Sequence, residues 1–293
     1  MAEIAQTPTA VQTVHSRFGK ARAGDWALII IAGIGAAIFS VPLIFMFSTS
    51  LRPLHAAYQL PPAWFPTEFE YQNYVTVLTH RIPFYMFGLN SAKITFWVTV
   101  GRLVTGSMAA FAFARLRFPG RNILFGLLLA SLMVPIQVTI IPIFLLLSKI
   151  KLVDNHLSLI LPSLTSAFGV FLLRQFFMTM PQELFDAAKI DGAGPWRMYW
   201  NIALPQAGPG LAALTIITFN QTWNDYFTPL IYLNTIERMT LPLGIAALRG
   251  RLDSGNPSVV MAAVALAILP VLILFLFAQR YFIEGVTMTG IKG

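Results

Sequence analysis

Few residues in this 293-residue chain could do covalent chemistry. It has no cysteine, so disulfides and thiolate metal sites are excluded. Its four histidines, His15, His55, His80 and His156, are scattered without metal-ligand spacing. The phosphate-cradling pattern GxxxxGK(S/T), the nucleophile elbow GxSxG and the zinc signature HExxH do not occur. What remains is the chemistry of binding. Arg102 and Asp225 lie inside long apolar runs, where an ionisable group is costly and faces a protein interior or a water-filled path. Asn220, Gln221, Trp223, Asn224 and Tyr226 surround Asp225. Amides bind hydroxyl groups and aromatic rings stack on the apolar face of a sugar. Arg102, Asn220, Trp223, Asn224 and Asp225 are therefore the candidate lining of a solute pathway. Hydrogen bonding between helices is the competing reading of the same residues. Lys93 sits near the end of an apolar run and can snorkel to the surface.

A second concentration of polar residues is the stretch ELFDAAKIDGAGPWRMYWNIALP, Glu183 to Pro205. Thr179 is placed to cap a helix and Pro181 suits its first turn. Glu183 and Asp186 then lie near the positive end of the helix dipole. Leu184, Ala187, Ala188 and Asp191 share one face at helical spacing, and the paired alanines make that face small and flat. Gly192 ends the helix, Pro195 opens a second short one carrying Trp196, Tyr199 and Trp200, and Pro205 and Pro209 bound the entry to the next apolar run. Two short helices meeting at a sharp corner suit either an amphipathic element in the headgroup region or a docking element for a partner.

These residues must be positioned by elements built for a membrane. The chain is 56% hydrophobic and 11% charged, against about 25% charged residues in soluble domains. Runs long enough to span, roughly 20 apolar residues each, lie at about 26–47, 90–114, 123–147, 157–177, 211–233 and 259–282. This predicts an all-α integral membrane protein with six transmembrane helices. The polar loop at 181–210 falls between the fourth and fifth. The expected organisation is an N-terminal tail over 1–25, the six-helix domain over 26–282 and a C-terminal tail over 283–293. Eleven Lys and Arg fall on the side of the termini and loop 181–210, and seven on the other. The excess predicts a cytoplasmic loop and cytoplasmic termini. The N-terminal tail lacks the cleavage pattern of a secretory signal, so the first run is read as a retained span. The net charge of +8 needs no nucleic acid to explain it. The segment 50–81, rich in Pro, Tyr and Trp, is expected to form an ordered external loop. By depth, Arg102 lies 13 residues before Arg115, about 20 Å in, and Asp225 lies 14 residues after Leu211, about 21 Å in. The two are expected to pair, directly or through water, or to line one cavity. Prolines at 42, 135, 142, 162, 229 and 270 are candidate kinks that would open such a cavity.

The loop resembles the EAA loop of ABC importer permeases, whose form is EAA, three residues, Gly, nine residues, Ile, one residue, Leu-Pro. Here Asp186-Ala187-Ala188, Gly192, Ile202 and Leu204-Pro205 stand at those spacings, with Asp186 in place of the usual Glu. The stretches NSAKITFWVTV (90–100), FAFARLRFPGR (111–121), WNDYFTPLIYL (223–233) and QRYFIEGVTMTGIKG (279–293) are similar to the shorter permease subunit of maltose-type and glycerol-phosphate-type importers.

That resemblance implies a coupling helix seated in a groove on an ATP-binding subunit. Glu183, Asp186, Ala187, Ala188, Asp191, Gly192, Ile202, Leu204 and Pro205 would be its ATPase-coupling residues. It implies a second homologous permease, two copies of the ATPase, an extracytoplasmic solute-binding protein, surrounding lipid of a bacterial cytoplasmic membrane, and no nucleic acid. No cofactor would be bound by this chain; ATP and Mg would be held by the partner ATPase. The function implied is import of a sugar or sugar derivative by alternating access, with ATP closure and the loaded binding protein both favouring the outward-facing state. An ion-coupled secondary carrier is the alternative. It needs intramembrane acids, of which only Asp225 qualifies, and such carriers often show inverted repeats, which this sequence lacks. A membrane-embedded enzyme would need His, Asp or Ser clusters within the spans, and there are none.

Overall fold

The computed structural model describes residues 23–59, 64–79, 84–252 and 255–289. The tail at 1–22, His80, Arg81, residues 290–293 and the side chains of 278–289 lie outside the described residues, and with them most of the two predicted tails.

The described residues form helices and turns throughout, as apolar runs must when every backbone group has to be bonded within the chain. Helix α1 (Ala23–Ser50) carries Pro42 inside it. Its residues up to Phe45 belong to a compact unit of their own, and Met46 onward to a second. In the first unit Ser40 satisfies its hydroxyl by donating to the Ala36 carbonyl at 2.8 Å. In the second unit the expected external loop carries two short helices, α2 (Leu54–Ala57) and α3 (Gln72–Thr79). Asn73 pins it by donating to the Ser50 and Arg52 carbonyls at 3.0 and 2.9 Å.

The central element is α4 (Phe84–Arg115), 32 residues long. The third predicted span is not straight. It divides into α5 (Arg121–Ser131) and α6 (Ile136–Lys149), bent by 99°. Pro135 causes the break: it lacks an N–H and drives the residue before it out of helical geometry. It stands at the start of α6 in extended conformation, with ψ of 142°. The fourth span comprises α7 (Leu157–Ser163) and α8 (Ala167–Thr179), with Ser166 capping α8 by accepting from Gly169 N–H at 3.1 Å.

Next come the loop helices α9 (Gln182–Ile190), α10 (Pro195–Met198) and α11 (Leu204–Gln206), with a wide helical turn at 199–203 between the last two. After them the chain forms α12 (Gly208–Trp223), α13 (Phe227–Tyr232), α14 (Leu241–Ala247) and α15 (Pro257–Thr289). The stretch 195–206 and α12 are bent by 75° to one another. The fifth predicted span is also broken, at residues 224–226.

Among the described residues, four helical stretches are long and apolar enough to cross a membrane: Trp26–Ser50, Phe84–Arg115, Leu157–Thr179 and Pro257–Phe277. The two bent pairs bring the number to as many as six.

Helix α4 packs chiefly on α8 and α12. Gly101 permits the closest approach: a Cβ there would meet the Leu164 side chain at 2.4 Å and its backbone at 3.2 Å. The break between α7 and α8 is therefore pressed against α4, and α4 supplies the donors that the break needs. Thr105 donates to the Leu164 carbonyl at 2.8 Å and Arg102 Nε to the Ser163 carbonyl at 3.0 Å.

Candidate functional site

Loop 181–210 is built much as its turn residues require. At the end of α9 the Gly192 N–H reaches the Lys189 carbonyl at 3.0 Å and the Ala193 N–H the Ala188 carbonyl at 2.8 Å. Gly192 has φ of +75°, which favours glycine. This is the paired-bond helix stop that uses glycine at its left-handed position. Pro195 opens α10 as expected. Thr179 does not cap α9. It closes α8, donating to the Phe176 carbonyl at 2.7 Å, and Pro181 stands ahead of the first turn of α9.

The face that α9 turns inward is not the small flat one. Phe185 and Ala188 are buried, whereas Glu183, Leu184, Asp186, Ala187, Asp191 and Gly192 are exposed. The paired alanines split, Ala188 facing the core and Ala187 the surface. Phe185 joins an aromatic cluster with Phe111 of α4, Phe177 of α8 and Tyr199, at centroid distances from Phe111 of 6.3, 6.1 and 5.5 Å. The Tyr199 hydroxyl bonds Ser107 Oγ at 2.7 Å, deep on α4. Ile202 and Leu204 pack against the same cluster, and Pro205 is exposed.

One arginine ties these parts together. Arg115 ends α4, and its guanidinium donates to the Phe177 carbonyl through Nε at 3.1 Å and through Nη2 at 2.5 Å. It also donates to the Met180 carbonyl at 2.5 Å and to Gln182 Oε1 at 2.7 Å. It lies 4.4 Å over the Phe185 ring. Gln182 passes the contact on, donating to Asp186 Oδ1 at 3.1 Å, which also accepts from Lys189 at 3.2 Å. Bonds from Gln182 and Lys189 hold the Asp186 carboxyl below the usual aspartate range. In the sequence Arg115 stands out only as a basic residue at the end of an apolar run. Apart from Gln182, its acceptors are backbone carbonyls, which leave no residue signature. Arg174 lies within α8, its guanidinium 4.1 Å over Phe125 of α5.

A cavity of about 470 Å³ lies between α4, α6, α7, α12 and α13. Arg102, Gln221 and Asp225 line it, with Gln137, Ser163 and Thr228. Arg102 and Asp225 thus share a cavity but form no ion pair. Arg102 is engaged by Ser163 and by Gln221 Oε1 at 3.1 Å, and Asp225 accepts from the Thr228 N–H at 3.2 Å, capping α13. Gln137 and Thr139, in the first turn of α6 after the Pro135 break, also line the cavity.

Trp223 and Asn224 face elsewhere, lining a second cavity of about 530 Å³ beside α14 and α15. Trp223 is buried, stacks on Phe219 at 5.4 Å and donates to the Ala267 carbonyl at 3.2 Å. Asn224 donates to the backbone and side-chain oxygens of Asn220 at 2.9 and 2.6 Å.

At the end of the bundle away from loop 181–210, Asp154 fastens the 150–156 turn to the 233–239 segment. It accepts from the N–H groups of Asn234 and Thr235, both at 2.9 Å, from the Thr235 hydroxyl at 2.5 Å and from Arg238 at 3.2 Å. Burial opposes the charged form, but the bonds from Thr235 and Asn234 and the Arg238 charge outweigh it. The carboxyl is held below the usual range.

Comparison with known proteins gives these arrangements a context. Residues 102–288 match the family described as binding-protein-dependent transport system inner membrane component. The chain is 34% identical over 271 residues to the arabinooligosaccharides transport system permease protein AraQ of Halalkalibacterium halodurans, covering 92% of this chain and 97% of that one. It is 34% identical over 261 residues to the sn-glycerol-3-phosphate transport system permease protein UgpE of Salmonella typhimurium, covering 86% and 92%. Among solved structures it is similar to a chain of a bacterial ABC transporter involved in the import of the acidic polysaccharide alginate. That match has a TM-score of 0.76 and 25% identity over 89% of this chain and 98% of that one. A chain of the alginate transporter in complex with its pentasaccharide-bound periplasmic protein shares the fold, with a TM-score of 0.63, 17% identity, and coverage of 88% and 94%.

Proposed function

Because this chain belongs to the family of binding-protein-dependent transport system inner membrane components, we propose that it is the shorter permease subunit of an ATP-driven importer for a sugar or sugar derivative. Family membership makes it a transport component rather than a catalytic subunit, and the ion-coupled carrier finds no support in these relatives. In this reading six spans cross the cytoplasmic membrane, with the bent pair α5–α6 counted as the third and the broken run 211–233 as the fifth, and both termini and loop 181–210 are cytoplasmic. A second permease, two ATPase subunits holding ATP and Mg, and an external solute-binding protein complete the complex.

The observation that carries the reading is the seating of loop 181–210. Its outer face, with Glu183, Asp186, Ala187 and Asp191, is open to a partner. Its inner face is locked into α4 and α8 by Phe185, Tyr199 and Arg115. A loop docked on a moving ATPase could not swing freely on such an anchorage. It would carry α4 and α8 with it, and α4 and the break beside α8 line the Arg102–Asp225 cavity. Displacement at the loop is thereby converted into a change of the solute pathway, which is what alternating access requires.

The reading is tested by purifying the tagged chain from membranes in mild detergent. An ATP-binding subunit should accompany it and cross-link to Ala187→Cys. Isolation of the chain free of any ATPase, from membranes in which it is active in transport, contradicts the proposal.

A further inference from the structure

We infer that the cavity between α4, α6, α7, α12 and α13 is a glycosyl-binding site of this chain itself, built for a neutral polyhydroxylated unit rather than an anion. The inference rests on the reading of the chain as a solute permease and adds what the pathway recognises.

Two opposite charges facing one intramembrane cavity would ordinarily close on each other, because an unpaired charge there is costly. Here each is held back by its own anchors. Ser163 and Gln221 hold Arg102, and the Thr228 N–H holds Asp225. The Arg102 Nη2 donors and Asp225 Oδ2 enter none of these anchoring bonds. An arginine only donates and an ionised aspartate only accepts. A pair of neighbouring hydroxyls does both, so a sugar diol bridging Arg102 and Asp225 satisfies the two groups together. A carboxylate or phosphate would gain at Arg102 and be repelled at Asp225, and these are the charged residues of the cavity lining.

Ile94, Ile140 and Tyr232 supply an apolar wall suited to the C–H face of a pyranose or furanose ring. The volume falls within the range of about 300–1,000 Å³ that small-molecule sites occupy.

The chain has no cysteine, so Thr139→Cys on the cavity wall is a unique reporter, read on this chain by mass after maleimide labelling. Lys149→Cys, outside the cavity lining, is the control. The complex is reconstituted without its binding protein, after co-purification of the ATPase has been verified. Arabinotriose is compared with sn-glycerol 3-phosphate and an alginate trisaccharide. Arabinotriose should slow labelling at Thr139→Cys about tenfold at ten times its Kd and leave Lys149→Cys unaffected. Asp225→Asn and Arg102→Gln should each weaken that protection about tenfold or more. Protection by the two anions but not by arabinotriose overturns the assignment, as does protection that survives both substitutions. Absence of protection by any probe also overturns the site, while an ATPase-bound, transport-active complex would leave the permease reading standing.

Discussion

Replacing Arg115 with Gln should uncouple the complex without dismantling it. The wild-type guanidinium bonds two backbone carbonyls at the end of α8 and the Gln182 side chain of α9, and lies over Phe185. Hydrogen bonds to charged groups contribute about 1.5–3 kcal/mol each when partners are left wanting. A half-exposed cation–π contact adds roughly 0.5–1 kcal/mol. Water can reach this end of the bundle and will replace part of the loss, so a net weakening of about 2–3 kcal/mol at the α8–α9 junction is expected. At 1.4 kcal/mol per factor of ten, the population with α9 loosened from α4 and α8 rises about 30- to 140-fold. In proteoliposomes, solute moved per ATP hydrolysed should fall while the ATPase still co-purifies. Arg115→Lys should lie between, because an ammonium keeps the charge but not the planar fork. A coupling ratio and melting temperature unchanged in Arg115→Gln would refute the claim that this side chain joins the loop to the spans.

Gly101→Ala should drive Leu164 away from α4 and cost about 1–3 kcal/mol, because the new Cβ would lie 3.2 Å from the Leu164 backbone. A thermal melt of the complex reads this directly. Trp223→Phe keeps the stack on Phe219 and loses the bond to Ala267. It should cost about 1 kcal/mol and leave solute preference in transport assays unchanged. Asp154 gives a pH prediction. Its folded pKa is depressed, so its contribution is present above the ordinary aspartate pKa and lost as pH falls through the folded value. Hydrogen-exchange protection of the 233–239 segment, taken relative to the intrinsic rate at each pH, should fall across that range in the wild type, and Asp154→Asn should be weakly protected at both ends of it.

What the sequence made legible was local. Gly192 and Pro195 each demand a particular backbone geometry, and the loop corner results from them. The Pro135 break was legible as a candidate kink, although its 99° bend was not. What stayed hidden was set by distant packing. The inner face of α9 is chosen by Phe111 and Tyr199, so Phe185 faces inward where the alanine pair had suggested a different surface. Trp223 was grouped with Asp225 by proximity in sequence, but the helix ends at Trp223 and the two residues part to different cavities. Asp225 capping α13 was the available sign of that break, since an Asp followed by a Pro-containing apolar segment favours a new helix start.

The central claim is that loop 181–210 transmits ATPase motion to the pathway. It is tested most directly by the ATPase rate of the complex reconstituted in lipid, with and without loaded binding protein, for wild type and Gly192→Pro. Proline cannot adopt the φ of +75° at that corner and removes the N–H bonded to Lys189. The account predicts that loaded binding protein stimulates the wild type and not the variant. Full stimulation of the variant would contradict it.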